Sequence, residues 1–437
     1  MPDRSGGLPV YENLETRERA LKAAWERLDP RFQTPNQILG RRYPVGCVAL
    51  EITQRCNLDC TICYLSESSE RVQDIPLPVL FERIDRIAAL YGPGVGVQVT
   101  GGDPTLRRRD ELVAIVRRIA GFGLRPSLFT NGLLATRDLL AELAAAGLFD
   151  VAFHVDTTQR RKGYPTEESL NEVRATYIER ARGLSIAVIF LTTVHEGNLD
   201  AVPMLGRFFL DRSDIVGMAS FQIHAETGRG EWREKSPRVT MEAVRDHLSL
   251  AAGLPDLEWD GAIVGHPQCH VGVALVTAGG EAANVISDRA LYERFLDDFR
   301  NVSFDRRDVR GTAIAFLSTV FRRPYWAVKG SAYVAKKLWA LRRGLIRSRG
   351  KIGKLTFFIQ NFMPAHALVQ ERIDNCSFMV MTGDGPVSMC EHNRRREEII
   401  LKPLVLPDRS AFWQPLTGRV GPLSLPVLPT VSDLNAR

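Results

Sequence analysis

Between residues 45 and 240, short β-rich runs alternate with amphipathic helical ones, and this alternation restricts the fold more than any other feature of the chain. The β-rich runs are 47–53, 95–100, 126–130, 151–155, 185–193 and 216–224. Between them lie stretches with apolar residues at helical spacing: 77–90, 110–119, 139–146, 167–182 and 199–209. Parallel strands cannot be joined by tight turns and need a crossover, usually a helix. Strands alternating with helices of this length therefore predict βαβ units on a parallel sheet. Six such units predict an α/β fold built as a partial (β/α)6 TIM-like barrel.

After about residue 240 the alternation stops. Two hairpins, 269–286 and 376–390, flank a segment without acids, and together they predict a smaller C-terminal α+β domain over residues 241–400. Residues 401–437 hold six prolines and are expected to lie extended over the surface rather than in regular structure. Residues 1–44 read as a polar leader with one helical stretch, 14–28. With 437 residues, 45% hydrophobic and 25% charged, neither a disordered nor a fibrous chain fits. Seven cysteines, three of them within eight residues, and no apolar signal run near Met1 argue against a secreted disulfide framework. Reduced cysteines and a cytoplasmic location are expected. The longest continuously apolar stretch, 311–321, is eleven residues, short of the roughly 20 that a spanning helix needs.

Cys56, Cys60 and Cys63 form a C-x3-C-x2-C run directly after the first strand. Thiolates are soft ligands suited to iron-sulfur clusters or zinc. A [4Fe-4S] cube normally takes four cysteines, so three from one loop leave one iron open to an outside ligand; zinc would call for a further pair nearby, and none is local. The second strand ends in Val99-Thr-Gly-Gly-Asp-Pro-Thr105, where two glycines permit close backbone approach to a ligand and Pro104 stiffens the turn. In a βα barrel both loops open on the C-terminal rim, where ligands bind.

These two motifs, across roughly residues 45–235, resemble the radical S-adenosylmethionine (SAM) superfamily. The resemblance implies that Cys56, Cys60 and Cys63 bind a [4Fe-4S] cluster whose open iron chelates SAM. It also implies that electron transfer, from a reductase such as flavodoxin or ferredoxin, releases a 5′-deoxyadenosyl radical that abstracts hydrogen from an unactivated carbon. Gly101, Gly102, Asp103 and Pro104 match the family's Gly-Gly-Glu-Pro motif with Asp for Glu, and would hold the methionine amino group. Ile62 stands where the family often has an aromatic residue. Other strand ends supply further cofactor candidates. Asn131 follows the third strand, where similar enzymes place a polar residue against the ribose or methionine carboxylate. His154 and Asp156 share a face at the fourth strand's end, as a polar core pair or as contacts to cofactor or substrate. Gln222 and His224 end the sixth, and Arg229 beyond it is either a partner for a carboxylate or a surface arginine.

Cys376 and Cys390 bracket a hairpin with Asp384-Gly385 at its turn, which brings the two thiols nearly opposite each other; Cys269 opens the other hairpin. An auxiliary cluster, a zinc site and ordinary buried thiols are the three readings. The arrangement resembles the twitch or SPASM extension of the same superfamily, which implies an auxiliary [4Fe-4S] cluster on Cys269, Cys376 and Cys390. The fourth ligand is then Cys47, His270, His392 or substrate, although Cys47 on the first strand reads better as a small apolar filler.

The net charge of +6 conceals one basic window: from Val309 to Gln370 there are twelve Lys and Arg and no Asp or Glu. Lys329, Lys336 and Arg343 recur every seven residues among aromatic and aliphatic neighbours. Such a helix suits an anionic membrane surface. A solvated helix packed on the core and an RNA-binding surface are the competing readings, RNA the weaker. With the hairpin cysteines, the window gives a weaker resemblance to the tetraether lipid synthase group. The expected function is therefore radical SAM chemistry on an unactivated carbon, in a membrane lipid chain, at the inner membrane face. The alternatives are modification of a ribosomal peptide, or a non-catalytic iron-sulfur or zinc protein that binds RNA.

Overall fold

The structure, a computed structural model, describes residues 45–422 apart from 231–234, 260–264, 300, 303 and 305–307, together with residues 25, 26 and 30. The expected helix at 14–28 therefore lies almost wholly outside the described residues. The six expected strands form β1 (Cys47–Thr53), β2 (Gly96–Gly101), β3 (Arg125–Thr130), β4 (Asp150–His154), β5 (Ala187–Val194) and β6 (Val216–Ile223), all parallel and paired in chain order. The crossovers between them carry helices α1 (Leu77–Tyr91), α2 (Arg109–Gly121), α3 (Arg137–Ala145), α4 (Leu170–Ala181) and α5 (Val202–Leu210).

Both sheet and helices bury what their periodicity promised. In α1, Leu80, Ile84, Ile87 and Ala88 recur at three- and four-residue spacing and are buried against β1 and β2. The centre of β1, Val48 to Ile52, is buried on both faces apart from what enters the cavity, as expected of a covered parallel strand. An aromatic chain crosses the molecule: Phe153, Phe190, Phe209, Phe221 and Phe357 follow one another with ring centroids 5.3–6.4 Å apart. Burying each such ring contributes roughly 1.5–3 kcal/mol.

The C-terminal segment does not build a sheet of its own. After α6 (Met241–Ala252), its strands β7 (His270–Ala278), β8 (Glu281–Asn284), β9 (Gly353–Asn361), β10 (Phe378–Met381) and β11 (Pro386–Ser388) extend the barrel sheet on both sides. The order is β11-β10-β1-β2-β3-β4-β5-β6-β9-β7-β8. β10 runs parallel to β1 and β9 parallel to β6, so eight strands are parallel, and the antiparallel β11 and β7–β8 form the flanks. Both expected hairpins form.

Between β8 and β9 lie α7 (Arg289–Asp298), α8 (Val309–Arg322), α9 (Ser331–Ala340) and α10 (Arg342–Arg347). α11 (Gln370–Asp374), α12 (Met389–Arg394) and α13 (Arg396–Leu401) follow. The proline-rich tail departs from its expectation. Residues 404–422 form a small antiparallel sheet of β12 (Leu404–Val405), β13 (Ala411–Trp413) and β14 (Val420–Pro422). Its prolines sit at turns and at an edge, where no ladder N–H is lost, and Trp413 is buried beneath it. Among the described residues, no helix is long and apolar enough to cross a membrane.

Candidate functional site: a three-cysteine cavity and a second thiol cluster

The cysteine loop leaves the C-terminal end of β1 and is held from three directions. From β2, the backbone N–H of Gly102 donates to the Thr53 carbonyl at 2.9 Å and that of Asp103 to the Arg55 carbonyl at 2.7 Å. A Cβ on Gly101 would come within 1.9 Å of the Thr53 oxygen, and one on Gly102 within 2.0 Å of the Arg55 oxygen, so only glycine allows the two strand ends to meet. From β4, Thr61 N–H donates to the Thr158 carbonyl at 2.9 Å. After β6, Gly228 and Gly230 lie against the loop, with Cβ positions 2.4 Å from the Cys63 oxygen and 2.6 Å from the Thr61 oxygen.

Cys56, Cys60 and Cys63 open on one cavity at the strand ends, together with Gly101, Gly102, Asp103, Asn131, His154 and Gln222. Burial pushes the Cys60 thiol well up, and the charges of Asp156, Cys63 and Cys56 add to it. Cys56 is raised by burial, with Asp103 and Cys63 adding. Leu58, Ile62, Phe129, Leu191, Phe362, Phe378 and Met389 make the rest of the wall largely apolar.

Not every sequence candidate faces this cavity. Asp103 lines it, but its carboxylate is used inside the fold: it accepts from Thr105 N–H at 3.0 Å, Asn131 N–H at 2.8 Å and the Thr130 hydroxyl at 2.9 Å. The buried Pro104 starts a short turn behind it. Asn131 donates to the Asn57 side chain at 2.6 Å and thereby ties the β3 end to the cysteine loop. Asp156 is fully buried and outside the lining. Burial alone would raise its carboxyl, yet His154 and the hydrogen bonds from Thr158 and Thr193 outweigh that and hold it well below the usual carboxylate range. Facing an ionised carboxylate, His154 Nε2 donates to Asp156 at 2.7 Å. Gln222 donates to Gln360 of β9 at 3.0 Å. Arg229 also lies outside the lining: it pairs with Glu70 at 2.8 Å and stands beside Cys63.

Sequence reading missed the network behind the loop. Glu51, in the middle of β1, is buried and accepts from Gln54 at 2.8 Å and from the Arg396 guanidinium of α13. Burial would raise its carboxyl, but Arg396, His392 and Gln54 together lower it to about 2. Arg396 also stacks 4.5 Å from the ring of Tyr64, whose hydroxyl donates to the Gly101 carbonyl. The readable signal was Glu51 itself: an acid inside the apolar strand Cys-Val-Ala-Leu-Glu-Ile-Thr must have a buried partner.

The other three thiols come together from distant segments. Cys269 precedes β7, Cys376 precedes β10 and Cys390 lies in α12; Cys390 and Cys269 both act on Cys376, and Cys269 acts on Cys390. Burial pushes the Cys376 thiol up to about 12, with Cys390 and Cys269 adding. Met363 N–H and Arg372 Nε each lie 3.4 Å from a sulfur, Cys390 and Cys269 respectively. Of the possible fourth ligands, Cys47 stands nearest in register: its strand partner is Phe378, its sulfur accepts from Gln98 at 3.3 Å, and Cys376 acts on it. His270 stacks on Phe358, and His392 lies 3.8 Å from Glu51. Among the described residues, no three His, Cys, Asp or Glu donors converge on a single-ion site.

Residues 50–206 match the radical SAM superfamily. A probable GTP 3′,8-cyclase of Pyrococcus abyssi is 37% identical over 119 residues, 27% of this chain and 37% of that one. A PqqA peptide cyclase of Methylobacterium nodulans is 28% identical over 46% of this chain and 52% of that one. Three of the curated relatives are matched over 37%, 56% and 48% of their own length. Streptococcus suis SuiB bound to the precursor peptide SuiA overlaps 57% of this chain and 54% of that one, at 15% identity and a TM-score of 0.39, too loosely to bear on detail.

The superfamily uses a [4Fe-4S] cluster and SAM, and the donor set at the cavity fits both. Cys56 and Cys60, raised by burial and by their neighbours' charges, sit with Cys63 around a space that suits a cationic group, which would ionise such thiols outright. Arg229, with its side chain largely buried, stands beside Cys63 and pairs with Glu70, which places a cation where it can balance a negative cluster. Gly101 and Gly102 leave the adjoining edge free of side chains. Residues 50–206, which hold the three-cysteine loop and the Gly101–Pro104 turn, are thus what this chain shares with the radical SAM superfamily.

Proposed function

We propose that this chain is a radical SAM enzyme that modifies an unactivated carbon of a membrane lipid chain. One observation carries the reading: Cys56, Cys60 and Cys63 share one cavity with the side-chain-free edge of Gly101 and Gly102. When bound and reduced, the cluster cleaves SAM and supplies a 5′-deoxyadenosyl radical. The three thiolates would hold it, and the backbone of Gly101 and Gly102 would take the methionine end of SAM. Asn131 and Gln222, which line the same cavity, would meet its polar atoms. Asp156 orients His154, which lines the cavity where a ligand would lie. Tyr64 and Arg396 fix the Gly101 carbonyl. The apolar wall excludes water around a reactive species and suits an alkyl substrate.

Cys269, Cys376 and Cys390 would hold an auxiliary cluster across the wall of Phe378 and Met389, with reducing equivalents from a flavodoxin- or ferredoxin-type partner. Anaerobic reconstitution with SAM and dithionite tests the core of the proposal: 5′-deoxyadenosine should form with wild type and not with Cys60→Ala, and equal yields from both would refute it. A second reading, radical modification of a peptide, is favoured by the similarity to a peptide cyclase. Deuterated lipid extract separates the two, because label in the 5′-deoxyadenosine indicates a lipid hydrogen donor and its absence with an active enzyme favours the peptide.

A further inference from the structure

Helices α8 and α9 have no buried residue, whereas every helix α1–α5 buries a stripe against the sheet. They are nevertheless fixed. Between them Trp326 packs on Phe295 and Phe299 and donates its indole N–H to Asp298 at 2.8 Å. Tyr333 donates to the Val285 carbonyl, and Gly344 in α10 lies so close to β7 that a Cβ would come within 2.0 Å of the Ala278 oxygen. α8 and Trp326 are thus anchored on α7, and α9 and α10 on the β7–β8 flank, while further apolar residues of these helices stay exposed.

On α8 these are Ile314, Leu317 and Phe321, one helical stripe ending in a ring that is 90% exposed. Beyond the break at Pro324, Val328, Ala332, Ala335 and Trp339 form a second exposed stripe at helical spacing, and Ile346 follows in α10, with Trp339 and Ile346 70% and 81% exposed. Water-facing apolar stripes of this kind on an anchored scaffold mark a docking surface. Lys329, Lys336 and Arg343 run beside it, in a window without one acid from Val309 to Gln370.

We infer that this face lies in the plane of an anionic lipid bilayer, with the aliphatic side chains and Phe321 at the acyl boundary. Trp339 then sits at headgroup level and the cations on lipid phosphates. Two features select this occupant. The exposed residues are mostly aliphatic, and two rings, Phe321 and Trp339, offer less stacking than an RNA surface with interleaved aromatics would. Two copies of an acid-free basic face repel each other, which disfavours self-association. No residue of 309–350 lines the cysteine cavity, so docking and chemistry are separable. The inference deepens the lipid reading above, and rests on it for its purpose while standing apart from it in measurement.

The test is cosedimentation of the reconstituted full-length protein with vesicles of phosphatidylcholine alone and of phosphatidylcholine mixed with phosphatidylglycerol. Binding is expected to the mixed vesicles, weakening with salt. Lys336→Gln combined with Arg343→Gln should lower the partition coefficient roughly 10- to 30-fold, from the attraction of each cation near an anionic surface. Leu317→Glu with Trp339→Glu should abolish binding. Brominated lipid should quench wild-type fluorescence more than that of Trp339→Phe, since Trp326 is buried. SAM cleavage without lipid stays at the wild-type level in all of these variants, so its failure in wild type would strike the enzymatic reading and leave this one standing. No binding of wild type at low salt, equal binding of the variants, or a protein dimer that the same variants disperse would each overturn the docking face.

Discussion

The two cysteine triads are opposite solutions to gathering three sulfurs. Cys56, Cys60 and Cys63 come from one loop of eight residues, gripped by glycines at the ends of β2 and β6 and by Thr158 after β4. Cys269, Cys376 and Cys390 come from three segments and meet only because β9–β7 and β10 attach to opposite sides of one sheet. The first triad needs only its own turn and neighbours. The second exists only in the finished sheet. A local site can be damaged one residue at a time, whereas a distributed one reports on the assembly of the whole molecule.

The largest effect separates the two directly. Cys60→Ala should abolish SAM cleavage and lower the iron content by about four per chain, and Cys376→Ala should remove a similar amount while cleavage of SAM persists. Iron analysis of anaerobic protein with product chromatography checks both, and a joint loss of all iron from either variant would break the distinction.

Next is the tie between the regions, Glu51 beside the first triad and Arg396 six residues beyond Cys390. Arg396→Met leaves a buried carboxylate unpaired and should cost about 3–5 kcal/mol in denaturant unfolding. Its pH dependence should also change sign. In wild type Glu51 is lowered to about 2, so its contribution is present above the unfolded value near 4.5 and lost as pH falls towards 2. Without the guanidinium, burial dominates and the carboxyl rises above the unfolded value, so the variant should lose stability as pH rises through about 4.5. A parallel acid branch in both proteins would show that Arg396 is not what lowers Glu51.

Gly102→Ala comes third. Its Cβ meets backbone rather than a movable side chain, so a loss of about 2–3 kcal/mol with weakened SAM binding is expected, read by thermal unfolding and equilibrium dialysis. Smallest should be Cys47→Ala. As a filler it costs about 1 kcal/mol and leaves the iron content unchanged; a loss of auxiliary-cluster signal in a Cys60→Ala background would instead make it the fourth ligand and extend the second triad into β1.

What was legible in the sequence follows the same division. The barrel strands and the first triad could be read because period and spacing are local properties: Cys56 to Cys63 need no partner further away than the next strand end. That β10 pairs with β1, and β9 with β6, could not be read, since the alternation that encodes parallel neighbours stops near residue 240. The proline content of the tail suggested an extended path and concealed three short strands whose prolines avoid the ladder. At the site, Asp103 and Asp156 were read as candidate contacts from their position at strand ends. The structure shows their carboxylates engaged by Thr105, Thr130 and Asn131, and by His154, Thr158 and Thr193. A strand's parity tells which face a side chain takes and not how many donors already surround it.

The pairing of β1 with β10 has a consequence for biogenesis. As the nascent polypeptide leaves the ribosome, the strand that launches the cysteine loop has β2 on one side and an open edge on the other, until residues 378–381 emerge. For most of translation that edge is a template for wrong pairing, and Glu51 waits for a countercharge made only at residue 396. Cofactor insertion into a stable loop therefore belongs after residue 396 has emerged, and premature termination before that point should yield a product prone to aggregate rather than a shorter working barrel.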